Sequence, residues 1–363
     1  MGRAGGLNDP AAADAANAAR LRRFATREAP RLSPFYAALA GFAAEAPDAL
    51  AILRHRLPGQ PPANMLLGAV HRLLLDGADH DLRAFYPNLV ERPRPLGEAG
   101  PALADFCRRF REPLTAIVAR RVTCTNEVRR AIMLRLGFGW MAAHGAAEGA
   151  RPGLVEIGCS AGLNLNWDRF RIDLGRHGRF GPRDAPLTLG CRVDGAGPVA
   201  AGGPLPAFAR RIGIDVVRSD PADAGDRAWM QALVWPDNPG RRAALDAAIA
   251  IAIAHPAEIR IGDAARLVGP VLAGLADDGP VWVFHSVMMY QLPVQRRLAI
   301  ERALAAASRR RPVWRLAFEG EGARRYVLRV VRYGGGQRRM QVRLAESDGH
   351  VTAVRLYRPI MSR

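Results

Sequence analysis

Glu156, Gly158, Ser160, Gly162 and Asn164 occupy every second position of the segment Leu154-Val155-Glu156-Ile157-Gly158-Cys159-Ser160-Ala161-Gly162-Leu163-Asn164-Leu165. Small residues at such spacing let a ligand approach the backbone closely. The carboxylate ahead of them suits a cationic group, and the Asn164 amide adds a donor and an acceptor. The apolar run before Gly158 and the helical pattern after it read as a strand, a tight turn and a helix N-terminus. The free N–H groups of a helix start favour an anion. Close packing is the other use of small residues at a strand-to-helix turn, so the segment is a candidate site.

Two known site types share this spacing. Gly158-Cys159-Ser160-Ala161-Gly162 fits the Gly-x-Ser-x-Gly nucleophile elbow of α/β-hydrolases, with Asp263 and His285 following in the order those enzymes use. The context opposes that reading. The chain before the elbow reads as helices, and no His-Gly-Gly-type loop precedes it. A nicotinamide dinucleotide site needs glycine where Ser160 and Leu163 stand. The pattern Glu-x-Gly-x-Ser-x-Gly more closely resembles the turn of class I methyltransferases, which bind S-adenosylmethionine. It departs from that turn at Ser160, where glycine is usual.

The methyltransferase resemblance implies roles for further residues. Glu156, Gly158, Ser160, Gly162 and Asn164 would line the cofactor. An acid at the end of the next strand would grip the ribose; Asp215 is the candidate, with Asp220 and Asp173 as alternatives. Asp263 follows the third strand, where such enzymes place an acid facing the adenine amino group. Asp is equally suited to cap the next helix there. His285, Ser286 and Tyr290 follow the fourth strand, the place of substrate-facing residues. His285 has the chemistry of a base near neutral pH. Asn126, Glu127 and Arg129 lie in a dense polar cluster before the sheet, where they cap the site or form a solvated face.

Composition narrows the chemistry. The chain has 363 residues, 49% hydrophobic and 24% charged, which suits a globular protein with one large core or a main and a smaller domain. All 52 basic residues are arginine, and the formal net charge is +18. Absence of lysine excludes a Walker A nucleotide site, Schiff-base chemistry and a lysine base. With abundant Ala, Gly and Pro, it reads as genomic base composition. The arginines are dispersed, so nucleic acid is the less favoured partner. The four cysteines, Cys107, Cys124, Cys159 and Cys191, form no Cys-x-x-Cys pair and read as reduced thiols of a cytoplasmic protein. No signal peptide, membrane span or metal site is expected.

Along the chain, residues 1–17 read as disordered, 18–150 as a helical domain, and 151–363 as an α/β domain with a Gly/Pro-rich insertion at about 175–206. Leu103, Phe106, Cys107, Phe110, Leu114, Ile117 and Val118 share one helical face. Residues 65–75 read as a buried helix in which His71 is a core residue. Strands are expected at 154–158, 212–217, 258–261, 281–285 and 313–318, separated by helices. Residues 326–333, 340–344 and 351–357 alternate as antiparallel strands. The expected fold is a Rossmann-like, doubly wound, class I methyltransferase-like α/β sheet with an antiparallel C-terminal edge, behind an all-helical domain.

Six segments together resemble a bacterial family, domain of unknown function 2332. They are Ser33-Pro34-Phe35-Tyr36, Asn64-Met65-Leu66-Leu67, Thr125-Asn126-Glu127-Val128-Arg129, Glu156 to Leu165, Trp235-Pro236-Asp237 and Gly262-Asp263-Ala264. The resemblance spans nearly the whole chain. It implies a methyltransferase-like core behind helices and assigns no activity. The expectation is an S-adenosylmethionine-dependent methyltransferase of unidentified acceptor. Glu156, Gly158, Ser160, Gly162, Asn164, Asp215 and Asp263 would serve the cofactor. His285, Tyr290 and Glu127 would serve catalysis, and Asn126, Arg129 and Ser286 the substrate. The alternatives are a Ser160 esterase and a non-catalytic binding protein.

Overall fold

Proline is the first residue of four helices in the first half of the chain, at Pro10, Pro34, Pro47 and Pro62. The computed structural model describes residues 9–146, 150–195, 197–199, 201–275, 279–322, 325–359 and 361–362. Its helices are α1 Pro10–Arg23, α2 Pro34–Ala44, α3 Pro47–Leu53, α4 Pro62–Leu75, α5 Ala99–Arg109, α6 Arg111–Arg120, α7 Ala131–Ala143, α8 Ala224–Ala232, α9 Pro239–Ala254, α10 Ala264–Ala273 and α11 Val294–Ala307. The strands are β1 Gly153–Ile157, β2 Arg171–Asp173, β3 Arg179–Phe180, β4 Thr188–Gly190, β5 Arg192–Gly195, β6 Arg210–Asp215, β7 Glu258–Ile261, β8 Val281–Ser286, β9 Val313–Gly320, β10 Tyr326–Gly334, β11 Gln337–Ser347, β12 Ala353–Leu356 and β13 Met361–Ser362. Two units form: residues 1–125 with 223–243, and residues 126–222 with 244–363.

The first unit is helical. Asp9 caps α1 through the Ala11 N–H at 2.9 Å, and Ser33 caps α2 through the Tyr36 N–H at 2.9 Å. Residues 10–17 are therefore helical where disorder was expected; residues 1–8 lie outside the described residues. Phe110 breaks the expected single helix, with φ −106° and ψ 27° between α5 and α6. The Trp235 ring packs on Phe24 and Tyr36, and Asp237 accepts from the Phe35 N–H at 3.4 Å. The Ser33 and Trp235 motifs thus hold each other.

His71 is buried in the same unit. Its Nδ1 lies 2.9 Å from the Ala232 carbonyl, and its Nε2 lies 2.9 Å from Asn88 Nδ2. The carbonyl fixes Nδ1 as donor, leaving Nε2 as acceptor. Burial pushes its pKa down to about 4. The folded state keeps His71 neutral while the unfolded chain protonates below about pH 6.5. Its stabilisation is full above that pH and lost as pH falls toward 4. The expected loss is about 2 kcal/mol between pH 7 and 5. The difference in pH slope between wild type and His71→Gln in urea unfolding measures it; equal slopes would contradict this role.

The second unit is mixed α/β with a large, mostly parallel sheet in the order β5-β12-β11-β10-β9-β8-β1-β6-β7. From β7 to β9 neighbouring strands are parallel; β10 and β11 return antiparallel. The chain leaves β1 for β6 and β7, then returns to the other side of β1 for β8 and β9. That reversal creates a switch point at the C-terminal ends of β1 and β8, where open α/β sheets bind ligands. The expected insertion supplies β3 and β4, which flank β2 in a small sheet, and the edge strand β5 beside β12.

Strand alternation sorts the site residues by face. Val155, Ile157, Val281 and Val283 pack with Val268, Leu272, Ile300 and Leu304 of α10 and α11. Leu154 and Glu156 consequently face the opposite side. Phe138 of α7 stacks there on Trp167 and Trp282, at centroid distances of 4.7 and 5.2 Å. Helix α7 has buried residues on every side and belongs to the sheet unit, so the boundary expected at 150 falls at 125 instead.

Candidate functional site

The turn after β1 is built around two positive backbone angles that glycine tolerates and one that serine bears. Gly158 has φ 74°, Gly162 has φ 69° and Ser160 has φ 51°. Positive φ is costly for residues with a Cβ, which explains the usual glycine at the Ser160 position. A Cβ on Gly158 would also lie 2.9 Å from Cγ of Met288.

The turn N–H groups are already used. Those of Gly158 and Cys159 donate to the Ile214 carbonyl at 2.8 and 3.2 Å, and that of Gly162 donates to the Cys159 carbonyl at 2.8 Å. Ser160 donates to Asp215 Oδ2 at 2.7 Å and Ala161 to Asn126 Oδ1 at 3.3 Å. The helix expected next is a seven-residue 3-10 helix, Leu163–Arg169, with a non-helical kink at Asn166. The expected anion-binding helix start is therefore corrected: this turn is not a phosphate cradle.

A set of buried polar atoms has no hydrogen-bond partner instead. They include Glu156 Oε2, Ser160 Oγ, Asn126 Nδ2, Asn164 Oδ1 and Asn166 Oδ1. Glu156 is 2% exposed. Burial pushes its carboxyl well above the usual range, the nearby Asp215 charge adds to the rise, and Arg130 offsets part of it. Native proteins pair nearly all buried polar groups, so these atoms are the candidates for contact with another molecule. Beside Gly162 lies a cavity of about 270 Å³, with Ala161, Asn166, Ala252, Ile259 and Ile261 in its walls.

Other expected site residues serve the protein itself. Asp215 holds the turn through Ser160 and the Val217 N–H, the latter at 3.1 Å. Asp263 caps α10 through the Ala265 N–H at 3.0 Å and lies 3.5 Å from Arg296 Nε. Asp173 pairs with Arg179, and Asp220 accepts from the Ala222 N–H. Asn164 donates to the Glu127 carbonyl at 3.4 Å. Asn126 and Glu127 belong to the sheet unit, not the helical one. Glu127, 2% exposed, accepts from the Arg129 N–H and meets His350 Nδ1 at 2.8 Å. Arg129 donates to the carbonyls of Gly190 and Val351, and Arg130 to that of Ser286. Arg129, Ser286 and Glu127 thus hold other parts of the chain through these bonds. Tyr290 is 59% exposed.

The esterase constellation is not assembled. Asp263 shares no hydrogen bond with His285, whose Nδ1 meets Glu319 Oε1 at 2.7 Å. Ser160 Oγ and His285 Nε2 are both without partners, so they do not bond each other. The Ala161 N–H that an oxyanion hole requires is occupied. Glu319 escaped the sequence reading because the fifth strand was expected to end at Phe318, while β9 continues to Gly320. His350 and Arg130 were missed because their partners are distant in sequence.

The fold and site define an α/β protein with a candidate ligand turn at the switch point of a mostly parallel sheet. The chain belongs to the bacterial family described as "Uncharacterized protein conserved in bacteria (DUF2332)", whose model matches residues 18–355. No curated protein matches the chain, and no solved structure does. Among the described residues, no group of three or more His, Cys, Asp or Glu side chains is placed to hold a metal ion. No single described helix is long and apolar enough to cross a membrane.

Proposed function

We propose that this protein binds S-adenosylmethionine at the turn after β1 and transfers its methyl group to an acceptor. The observation that carries the reading is the buried, unpartnered Glu156 Oε2 beside a small-residue turn at the sheet's switch point. The strand order β7-β6-β1-β8-β9 supports it, because class I methyltransferases order their first five strands in the same way.

The unpartnered atoms fit the zwitterionic end of that ligand. Glu156 Oε2 and Asn164 Oδ1 are acceptors for its ammonium, while Asn126 Nδ2 and the Ser160 hydroxyl are donors for its carboxylate. The adjoining cavity receives the flat adenosine end, with Asn166 Oδ1 as an acceptor in its wall. A turn whose N–H groups are already bonded suits this ligand better than a dinucleotide phosphate. When bound, the sulfonium supplies an electrophilic methyl group. The chain's own part is to hold the amino-acid end by Glu156 and the turn, which fixes the ligand's orientation.

Binding a cation requires Glu156 to ionise. The free protein holds this carboxyl above its usual range, so binding releases a proton, and affinity rises with pH until Glu156 is ionised unliganded. Calorimetric titration with S-adenosylhomocysteine, which keeps the amino-acid end, tests this in two buffers of different ionisation enthalpy. Saturable binding with a buffer-dependent heat that disappears in Glu156→Gln is expected. Absence of binding overturns the reading; binding with no proton release removes Glu156 from it.

A further inference from the structure

Past the last residues of β8 the backbone does something costly. Val287, a β-branched residue, has φ 57°, and its N–H donates to the Phe318 carbonyl at 2.8 Å. Strain of this kind persists where surrounding structure enforces it, often at functional sites. Here it turns the N–H groups of Met288 and Met289 toward one atom, Glu319 Oε1, each at 3.1 Å. The same oxygen meets His285 Nδ1 at 2.7 Å.

This arrangement fixes the chemistry of the pair. Burial raises Glu319, but the hydrogen bond and charge of His285 and the two backbone N–H groups more than offset it, leaving its carboxyl below the ordinary value. An ionised Glu319 only accepts, so the proton on His285 sits on Nδ1. The lone pair of the neutral ring is therefore on Nε2. That atom is buried and without a partner, as is Glu319 Oε2. His285 is 3% exposed, so an imidazole nitrogen is held out of water with nothing to bond. A core histidine such as His71 has both nitrogens bonded.

By strand alternation His285 lies on the α10/α11 face of the sheet, opposite Glu156, and the turn after β8 joins it to the ligand turn. Met288, whose N–H is held by Glu319, lays its side chain over Gly158. One residue thus bridges the turn after β1 and the ends of β8 and β9. Arg130 lies within electrostatic reach of Glu319, Tyr290 and Tyr326, and Glu301 of α11 within reach of His285.

We infer that His285 and Glu319 form a general-base dyad, and that the acceptor of this site is a protic heteroatom nucleophile, X–H. The inference rests on the methyl-transfer reading. The lone pair of X forms the new bond to the methyl carbon as the carbon–sulfur pair returns to sulfur, leaving a neutral thioether. The proton of X–H passes to His285 Nε2, and the resulting imidazolium is paired with the Glu319 carboxylate until it releases that proton to solvent. His285 touches the acceptor; Glu319 positions it and holds the tautomer. A thioether, which has no proton to give up, is not a substrate of such a base.

Two measurements test this. In the first, long-range proton–nitrogen NMR of the free protein is expected to show His285 as the Nδ1–H tautomer, and Glu319→Gln is expected to lose it. An Nε2–H tautomer in the wild type overturns the dyad. In the second, the protein and labelled S-adenosylmethionine are mixed with separate panels of hydroxyl, amine, thiol, thioether and carbon-acid acceptors. Turnover is expected only with the first three, and His285→Gln is expected to lower it at least about 100-fold. The same variant should keep its S-adenosylhomocysteine affinity by calorimetry. Turnover confined to the last two panels, or within threefold of wild type in His285→Gln, overturns the dyad. Failure to bind either sulfur ligand with the Nδ1–H tautomer intact overturns the cofactor reading and with it the acceptor assignment.

Discussion

Replacing Glu156 with Gln is expected to leave the protein folded and to weaken its ligand binding. The two results separate because of the carboxyl's state. Burial and the charge of Asp215 favour its neutral form in the free protein, and the amide is a near-isosteric neutral group. Stability should therefore change by less than about 1 kcal/mol in chemical denaturation. The bound ligand meets a different requirement. Its ammonium needs a carboxylate, and a charge-assisted hydrogen bond contributes about 1.5–3 kcal/mol. Affinity for S-adenosylmethionine and S-adenosylhomocysteine should fall about 10- to 100-fold. A large stability loss would make Glu156 a structural residue, and unchanged affinity would move the cationic end of the ligand elsewhere.

Phe138→Ala is expected to have the largest effect on stability. The ring sits between Trp167 and Trp282 and meets Phe284 edge-on at 5.6 Å. Its removal leaves a cavity among large rings that cannot collapse into it, at a cost of about 3–5 kcal/mol. These rings hold α7 and the Leu163–Arg169 segment on the sheet face that carries Glu156. Ligand should recover part of the lost stability if the variant remains folded at low temperature, because binding to the folded state alone stabilises it. Urea unfolding with and without S-adenosylhomocysteine measures both quantities. A loss below about 1 kcal/mol would mean that the aromatic stack is not what fixes this face.

The sequence disclosed most where local chemistry decides the backbone. Gly158, Ser160 and Gly162 mark the turn because their spacing meets the backbone's demand, and all three have positive φ. Strands β1 and β6 to β12 were legible from apolar runs and alternation, to within a few residues at their ends, whereas β5 and β13 were not. Those few residues mattered. Ending the fifth strand at Phe318 hid Glu319, the partner of His285. Starting a regular helix after Gly162 gave an anion site that the 3-10 geometry does not supply. The helix cap that Asp263 makes was one of the two readings its position offered. The roles of Asp215 and Arg129 were not readable, because each is set by a backbone group. For Asp215 one such group is near in sequence, yet the role depends on the exact turn geometry. For Arg129 it comes from β4 and from the turn before β12. The division between units was misplaced for a related reason. Helix α7 looks like one more helix of the first region, and only its packing on β9 and β10 assigns it to the sheet.

The most direct test of the central claim is a crystal structure of the protein grown with saturating S-adenosylhomocysteine. The ligand's amino group is expected at about 2.7–3.2 Å from Glu156 Oε2, over the turn from Gly158 to Gly162, with its adenosine end beside Gly162. A turn left empty at millimolar ligand, or the ligand bound with Glu156 out of reach, would contradict that claim.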